Sequence, residues 1–168
     1  YDVVGIGNAI VDIISRCDDA FLSKHDLAKG FMRLIPAGEA GRLYEAMGPA
    51  IERSGGSAAN TIAGLASFGA KCGFIGRLAD KKKEVFDEDL AALIEKRMTV
   101  ADDLWKLVTY EVNAKGDGEP TARCLIFVTP DGERTMNTFL GASVNFTPAD
   151  LEPSLIEQAR IVYLEGYL

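Results

Sequence analysis

The chain has 168 residues, enough for one domain with a sizeable core, and its hydrophobic content of 48% excludes general disorder. Its formal net charge is −7, and its 18 Lys and Arg residues are scattered except for Lys81, Lys82 and Lys83, so we expect no basic surface that could follow a nucleic acid. No apolar run approaches the roughly 20 residues that span a bilayer, and no basic segment precedes the first apolar run, which together predict a cytoplasmic protein without membrane contact.

The first predicted element is a strand. The run DVVGIGNA, residues 2–9, is continuously apolar and rich in Val and Ile, which is typical of a strand buried on both faces of a parallel sheet, and IVDIISR continues it after Asn8. A dinucleotide-binding loop is an alternative for GIGNAIVD, but Ile10 stands where the third glycine should be and no helix pattern follows. The sequence also holds no P-loop motif.

A helix and a second strand follow. From Gly56 to Phe68 the apolar residues recur at helical spacing, and Gly69 is a typical C-terminal stop. The segment CGFIG, residues 72–76, then predicts a short strand. The segment EVFDEDLAALIEK, residues 84–96, predicts a helix whose large apolar residues share one face.

The pattern is weakest between Met98 and Glu119. In this region LVTYEV, residues 107–112, is consistent with a strand, and AKGDGE is consistent with a loop. Trp105 is more consistent with packing in the core or in a flap than with a platform for a ligand.

A hairpin is the clearest element of the second half. ARCLIFV and RTMNTFL flank TPDGE, where Pro130 and Gly132 suit the second and fourth positions of a type I turn. Thr147 then predicts the N-cap of a helix that Pro153 breaks or restarts, because a proline inside a helix clashes with the preceding turn. IVYLEGYL predicts the last strand. Alternating strands and helices indicate an α/β parallel sheet, and the hairpin indicates a small antiparallel flap beside it.

Cysteine and histidine patterns exclude several kinds of site. Cys17, Cys72 and Cys124 lie far apart and form no pair at metal-ligand spacing, which favours a reducing compartment and buried thiols. The single histidine, His25, leaves little room for a zinc site or a histidine-based triad. We therefore expect no metal site in this chain.

Two polar residues follow the first buried strand. Asn8 and Asp12 lie near its carboxyl end, where open α/β sheets bind ligands. An amide and a carboxylate at this place can hold vicinal hydroxyls, since the carboxylate accepts two hydrogen bonds and the amide donates or accepts. The alternative is that Asp12 only caps a loop.

The stretch SGGSAAN, residues 54–60, favours the binding interpretation. Gly55 and Gly56 let a ligand approach the backbone at the start of a helix, and Asn60 lies one turn further along. A glycine-rich turn before a close-packed helix is the alternative, and it explains the alanines but not Asn60. Two polar clusters suited to hydroxyls predict a sugar pocket rather than a phosphate cradle.

Several motifs in the same order resemble the amino-terminal half of the ribokinase-like (PfkB) carbohydrate kinases, most of all the adenosine kinase branch. The likeness covers most of residues 1–80 and 119–168, and it is carried by GNAIVDI, SGGSAANTIAGLASFGAKCGFIGRLAD, PTARCLIFVTPDGERTMNTFLGAS and YLEGYL. The resemblance implies a Rossmann-like parallel sheet flanked by helices, with a small lid of strands roughly within residues 10–36 and 107–140. It also implies ATP and Mg²⁺ as cofactors.

The resemblance assigns a role to nine residues. Ribose or sugar hydroxyls would be bound by Asn8, Asp12, Gly55, Gly56, Ser57 and Asn60. In the lid, Cys124 and Met136 match positions that line the nucleoside pocket, and Arg134 matches an arginine near the phosphates. The alternatives are that Cys124 and Met136 are plain flap core and that Arg134 is a surface charge.

The sequence departs from the family in three places. Lys81–Lys83 replace an Asp-x-x-Gly turn, residues 94–118 do not follow the family, and the Gly-Ala-Gly-Asp motif that carries the family's catalytic base does not occur. Phosphoryl transfer depends on such positioning and charge stabilisation. We therefore expect the substrate-binding half of an adenosine or sugar kinase, inactive alone, with the ATP-binding half absent from this chain.

Two other functions remain open. A non-catalytic binding or assembly module on the same fold is the first, because lids of this family often pair between subunits, which would give a homodimer through the lid, and because an exposed flap edge otherwise invites uncontrolled pairing. A dinucleotide-binding domain is the second and would require affinity for NAD.

Overall fold

The computed structural model describes residues 1–78, 108–112 and 119–166, which form an α/β fold with two sheets. Lys81–Lys83, the predicted helix at 84–96, Trp105 and nearly all of the predicted AKGDGE loop lie outside the described residues. The predicted strand LVTYEV is confirmed over Val108–Val112, but it pairs with Cys72–Gly76 in the first sheet and is not one of the lid strands predicted within residues 107–140.

The first sheet has four parallel strands. They are β1 (Val3–Ile6), β5 (Cys72–Gly76), β6 (Val108–Val112) and β9 (Ile161–Leu164), in the order β6-β5-β1-β9. Val4 and Ile75 are fully buried in its centre, as a strand covered on both faces requires. All four strands point the same way, so their carboxyl ends share one edge.

The second sheet, which we call the lid sheet, has five strands in the order β3-β8-β7-β2-β4. They are β2 (Ile10–Arg16), β3 (Met32–Leu34), β4 (Ala50–Gly55), β7 (Ala122–Val128) and β8 (Arg134–Phe139). The predicted hairpin is confirmed as the antiparallel pair β7 and β8. Its turn is closed by the N–H of Gly132, which donates to the carbonyl of Thr129 at 2.9 Å.

Segments DVVGIGNA and IVDIISR therefore belong to different sheets. The chain leaves β1 at Ile6, crosses over at residues 7–9 and enters the lid sheet at Ile10. No helix follows β1, which confirms that GIGNAIVD is not a dinucleotide-binding loop. The carboxyl edge of the first sheet thus lies where the chain crosses to the lid.

Four α-helices accompany the sheets within the described ranges. They are α1 (Asp19–Lys24), α2 (Ala37–Ala46), α3 (Ser57–Ser67) and α4 (Pro153–Glu157). The predicted helix after Gly56 is confirmed as α3, whose Ala58, Ile62 and Ala66 are buried. The side of the lid sheet that carries Ile13 and Phe127 shares a core cluster with α1 and α2. The opposite side of the lid sheet is the one that carries the candidate site.

The helix predicted to start at Thr147 is only one 3-10 turn, Pro148–Asp150. The predicted N-cap is correct, because the backbone N and the Oγ1 of Thr147 donate to Asp150 Oδ2 at 2.8 and 2.9 Å. Leu151 and Glu152 are extended, and Pro153 begins α4. Proline disfavours the helical conformation in the residue directly before it, which here is Glu152. Pro153 therefore restarts the helix.

Candidate functional site

Six residues meet where the first sheet, α3 and the lid sheet come together, namely Asn8, Asp12, Gly55, Gly56, Ser57 and Glu165. The loop after β1 contributes Asn8, which is 5% exposed, and its backbone N–H donates to Glu165 Oε2 at 3.1 Å. Ser57, the first residue of α3, donates its hydroxyl to Glu165 Oε1. Glu165 directly follows β9, so the carboxyl ends of β1 and β9 and the start of α3 are joined by one carboxylate.

The two glycines of SGGSAAN lie against two of the predicted ligands. A Cβ on Gly55 would overlap the carboxylate of Asp12, and a Cβ on Gly56 would lie 2.6 Å from the carbonyl oxygen of Asn8. Gly56 also has a φ of 90°, which a residue with a side chain rarely adopts. The sequence predicts that these glycines admit a ligand to the backbone; in the fold, protein atoms occupy the space that their Cβ atoms would take.

Asp12 is a half-buried carboxylate on the lid sheet. Burial raises its pKa above the ordinary value, and the charge of Arg134 opposes that shift. Neither burial nor the charge of Arg134 occupies the oxygens of Asp12, so the carboxylate keeps its capacity to accept hydrogen bonds from a ligand. An acid that is partly desolvated for no structural gain is typical of a binding or catalytic site.

One side of the lid sheet carries Asp12 together with the predicted pocket residues. Strand register places Asp12 opposite Cys124, and Cys124 opposite Thr138, in one row across β2, β7 and β8. The next row on the same side is apolar and consists of Met32, Met136, Ile126, Ile14 and Ile51. A carboxylate thus stands beside an apolar stripe, an arrangement that suits a ligand with hydroxyls at one end and a flat apolar group at the other.

Cys124 lines this side as a neutral thiol. Burial, with a smaller contribution from the charge of Asp12, raises the pKa of Cys124 to about 11, and Thr138 Oγ1 donates to its Sγ at 3.3 Å. A thiol with such a pKa is not a nucleophile at neutral pH. Cys72 is buried as predicted, whereas Cys17 is partly exposed.

The remaining predicted residues lie at the rim. Asn60 is exposed one turn into α3, and its backbone N–H donates to the carbonyl of Gly56 at 3.0 Å. Arg134 is exposed at the start of β8 and acts on Asp12 through its charge. Met136 is half-buried on the side of Asp12. The structure therefore groups Asn8, Asp12, Gly55, Gly56 and Ser57, and it leaves Asn60, Arg134 and Met136 around them.

Sequence reasoning missed two buried charged residues at the same edge. Glu165 lies at the carboxyl end of β9, and Asn8 lies near the carboxyl end of β1. Because open α/β sheets bind ligands at the carboxyl ends of their strands, the reason for selecting Asn8 also applies to Glu165. Arg77 follows β5, and its Nη1 lies 3.0 Å from Asp150 Oδ2 and donates to the carbonyl of Asn145 at 2.5 Å. A charged residue directly after β5 and another directly after β9 were the available signal.

The described residues form no cluster of metal-ligating side chains. Within residues 1–78 and 119–166, no group of three or more His, Cys, Asp or Glu side chains lies close enough together to hold a metal ion. We therefore assign no described residue to a metal site.

Replacing Gly55 by alanine tests the contact with Asp12. We expect Gly55→Ala to displace the Asp12 carboxylate and to lower affinity for a ligand with vicinal hydroxyls about tenfold or more, measured by calorimetry. The control is Gly64→Ala inside α3, where a Cβ would meet no atom within 4 Å and should stabilise the helix slightly. Equal affinity in Gly55→Ala and wild-type protein would contradict this assignment.

The fold is an α/β fold in which a cluster of polar residues lies at the carboxyl edge of the first sheet, beside a lid of strands. The model of the pfkB family of carbohydrate kinases matches residues 51–168, which is more than half of the sequence, and the chain belongs to this family. This finding confirms the family resemblance seen in the sequence.

Two solved kinase structures cover all of this chain. The probable sugar kinase from Rhizobium etli has 46% sequence identity and a TM-score of 0.82, and the adenosine kinase from Sinorhizobium meliloti has 46% identity and a TM-score of 0.79. The chain covers 47% and 48% of those two proteins, so it spans about half of their length. The ribokinase-type fold and the adenosine kinase branch are therefore confirmed.

A second, shorter likeness is to a different enzyme. The chain is 36% identical over 64 residues to the 2-isopropylmalate synthase of Nostoc sp., a match that covers 38% of this chain and 12% of that enzyme. A match to so small a share of that enzyme gives no reason to assign its activity to this chain.

Among the described residues, no helix has both the length and the apolar character needed to cross a membrane.

Proposed function

We propose that this chain is the substrate-binding part of an ATP-dependent kinase that phosphorylates a hydroxymethyl group of adenosine or a related sugar. The observation that carries the proposal is the half-buried Asp12 carboxylate beside the apolar stripe of the lid sheet. The carboxylate and Asn8 would bind the vicinal hydroxyls, and the stripe would cover the base.

Membership of the pfkB family supports phosphoryl transfer, and the likeness to the adenosine kinase from Sinorhizobium meliloti supports a nucleoside as the substrate. In this proposal, Cys124 and Met136 line the pocket and Arg134 faces the phosphate side. Gly55, Gly56, Ser57 and Asn60 form the wall beneath the sugar. The substrate would be held with its hydroxymethyl group free for in-line attack on ATP.

The catalytic base and the ATP site would come from outside these residues. ATP with Mg²⁺ supplies the phosphoryl group in this proposal, and this chain's own residues bind and orient the acceptor hydroxyl. The chain alone would therefore bind without catalysing.

A thermal-shift screen of the full-length protein with adenosine, ribose, fructose and inosine tests the proposal. A ligand at 100 times its dissociation constant stabilises a protein by about 2.7 kcal/mol, which corresponds to a rise of several degrees in melting temperature. We expect adenosine to give the largest rise. If none of the four compounds shifts the melting temperature, the proposed function is wrong.

A non-catalytic assembly module is a second candidate, favoured by the edges of the lid sheet. The edge strands β3 and β4 carry Met32, Leu34 and Ile51, which are 53%, 62% and 57% exposed. Exposed apolar edge strands pair readily with other strands. Light scattering with and without adenosine separates the two candidates, because homodimers that form without adenosine in a protein that binds no nucleoside would favour assembly.

A further inference from the structure

Glu165 is a buried carboxylate whose two oxygens hold two different segments of the candidate site. The residue is 5% exposed, and its own backbone N–H donates to the carbonyl of Ile6 at 3.1 Å. Oε2 accepts from the backbone N–H of Asn8, and Oε1 accepts from the hydroxyl of Ser57. Hydrogen bonds to an ionised acceptor are stronger than neutral ones.

The surrounding backbone leaves space for this carboxylate. A Cβ on Gly7 would overlap Glu165 Oε2 and would lie 2.5 Å from the Cβ of Ala58. The carbonyl of Asn8, the residue that Glu165 holds, lies in turn against Gly56. The position of Glu165 is thus transmitted to Asn8 and to the glycine turn before α3.

We propose that Glu165 is a positioning residue of the substrate site, which fixes Asn8 and Ser57 in the geometry that receives the sugar hydroxyls. Its effect on the substrate rests on the proposed function, whereas its effect on Asn8 does not. Preorganised ligands lose little entropy when the substrate binds, so loosening them weakens binding.

The first test is a pair of substitutions in the full-length protein, assayed with adenosine and ATP. Glu165→Gln removes one acceptor, and Ser57→Ala removes one donor while the carboxylate stays in place. We expect Glu165→Gln to raise KM for adenosine about tenfold, with kcat and KM for ATP nearly unchanged, because loss of one charge-assisted hydrogen bond has an effect of this size.

Combining the two substitutions shows whether Glu165 acts through Ser57. We expect the double variant to be no worse than Glu165→Gln alone, since both changes break one network. Fully additive effects would mean that Glu165 does not act through Ser57, and they would overturn that part of the positioning role. An unchanged KM in Glu165→Gln would overturn it as well.

Hydrogen exchange of the Asn8 amide gives a readout that needs no substrate. We expect exchange of this amide to be about tenfold faster in Glu165→Met, whose side chain has no oxygen that could accept from Asn8, than in wild-type protein and unchanged in the control Glu157→Met, whose side chain is exposed on α4. Equal exchange in all three proteins overturns the positioning role. Wild-type protein that does not bind adenosine overturns the proposed function instead, and the exchange experiment still decides whether Glu165 holds Asn8.

Discussion

Asp12→Asn should abolish measurable binding of adenosine, with an affinity at least about 100-fold below that of wild-type protein. The carboxylate can accept two hydrogen bonds from vicinal hydroxyls, and each charge-assisted bond is worth about 1.5–3 kcal/mol. Calorimetry of the full-length protein measures the loss. Glu45→Gln, an exposed change on α2, is the control and should bind like wild type.

The same substitution should not destabilise the fold. Burial raises the pKa of Asp12 above its ordinary value of 3.8, so the stability contributed by its protonated form is complete below that value and is lost as the pH rises through the raised pKa. At neutral pH the ionised carboxylate costs stability, and Asp12→Asn removes that cost. We therefore expect an unchanged or higher melting temperature, while a large decrease would show that Asp12 serves folding instead of binding.

Arg77→Met should destabilise the protein by about 3–5 kcal/mol. Arg77 Nη1 lies 3.0 Å from Asp150 Oδ2, and the two side chains are 10% and 3% exposed. Removing the cation leaves a buried carboxylate without that partner charge, and the loss of one partner of a buried ion pair strongly destabilises the folded state. Urea denaturation of Arg77→Met against wild type measures the change in the free energy of unfolding.

An exposed arginine supplies the matched control. Arg160 lies 3.4 Å from Asp2 with its side chain 81% exposed, so Arg160→Met should change stability far less than Arg77→Met does. Equal changes in the free energy of unfolding for Arg77→Met and Arg160→Met would contradict the claim that burial makes the ion pair of Arg77 important for stability.

The effect of Arg77→Met should also depend on pH. Burial raises the pKa of Asp150, but hydrogen bonds from Thr147 and the charge of Arg77 together hold it below the ordinary value of 3.8. The stability that Asp150 contributes is therefore present above that value and is lost as the pH falls through the lowered pKa. We expect the difference between wild type and Arg77→Met to be largest at neutral pH and to shrink in acid.

Much of the fold could be predicted because local patterns and packing agreed. The helix after Gly56, the strand CGFIG and the hairpin around TPDGE each combined hydrophobic periodicity with a suitable cap or turn. The 3-10 turn after Thr147 could not be predicted in detail, because good capping residues suggested a longer helix that Pro153 prevents. The assignment of β1 and β2 to different sheets likewise depends on long-range pairing that no local pattern encodes.

The residues at the centre of the candidate site could be predicted from the sequence, whereas the residues that hold them in place could not. Asn8 could be selected because a polar residue after a buried strand points to a ligand edge. Asp12 was selected by the same reasoning, but its predicted place at the end of the first strand is wrong, because it lies inside β2 on the lid sheet. That Gly55 seats the Asp12 carboxylate depends on register between β2 and β4, which the sequence does not reveal. Glu165 is far from Asn8 and Ser57 in sequence, so their hydrogen bonds appear only in the folded chain.

The most direct test of hydroxyl recognition compares two ligands on the full-length protein. Calorimetric titration with adenosine and with 2′,3′-dideoxyadenosine isolates the vicinal hydroxyls, because the base and the hydroxymethyl group are the same in both. We predict binding of adenosine and a loss of about 100-fold or more for the dideoxy compound, since the analogue leaves Asp12 without partners. Equal affinity for the two compounds would contradict the assignment of Asp12 and Asn8 as the residues that bind the sugar.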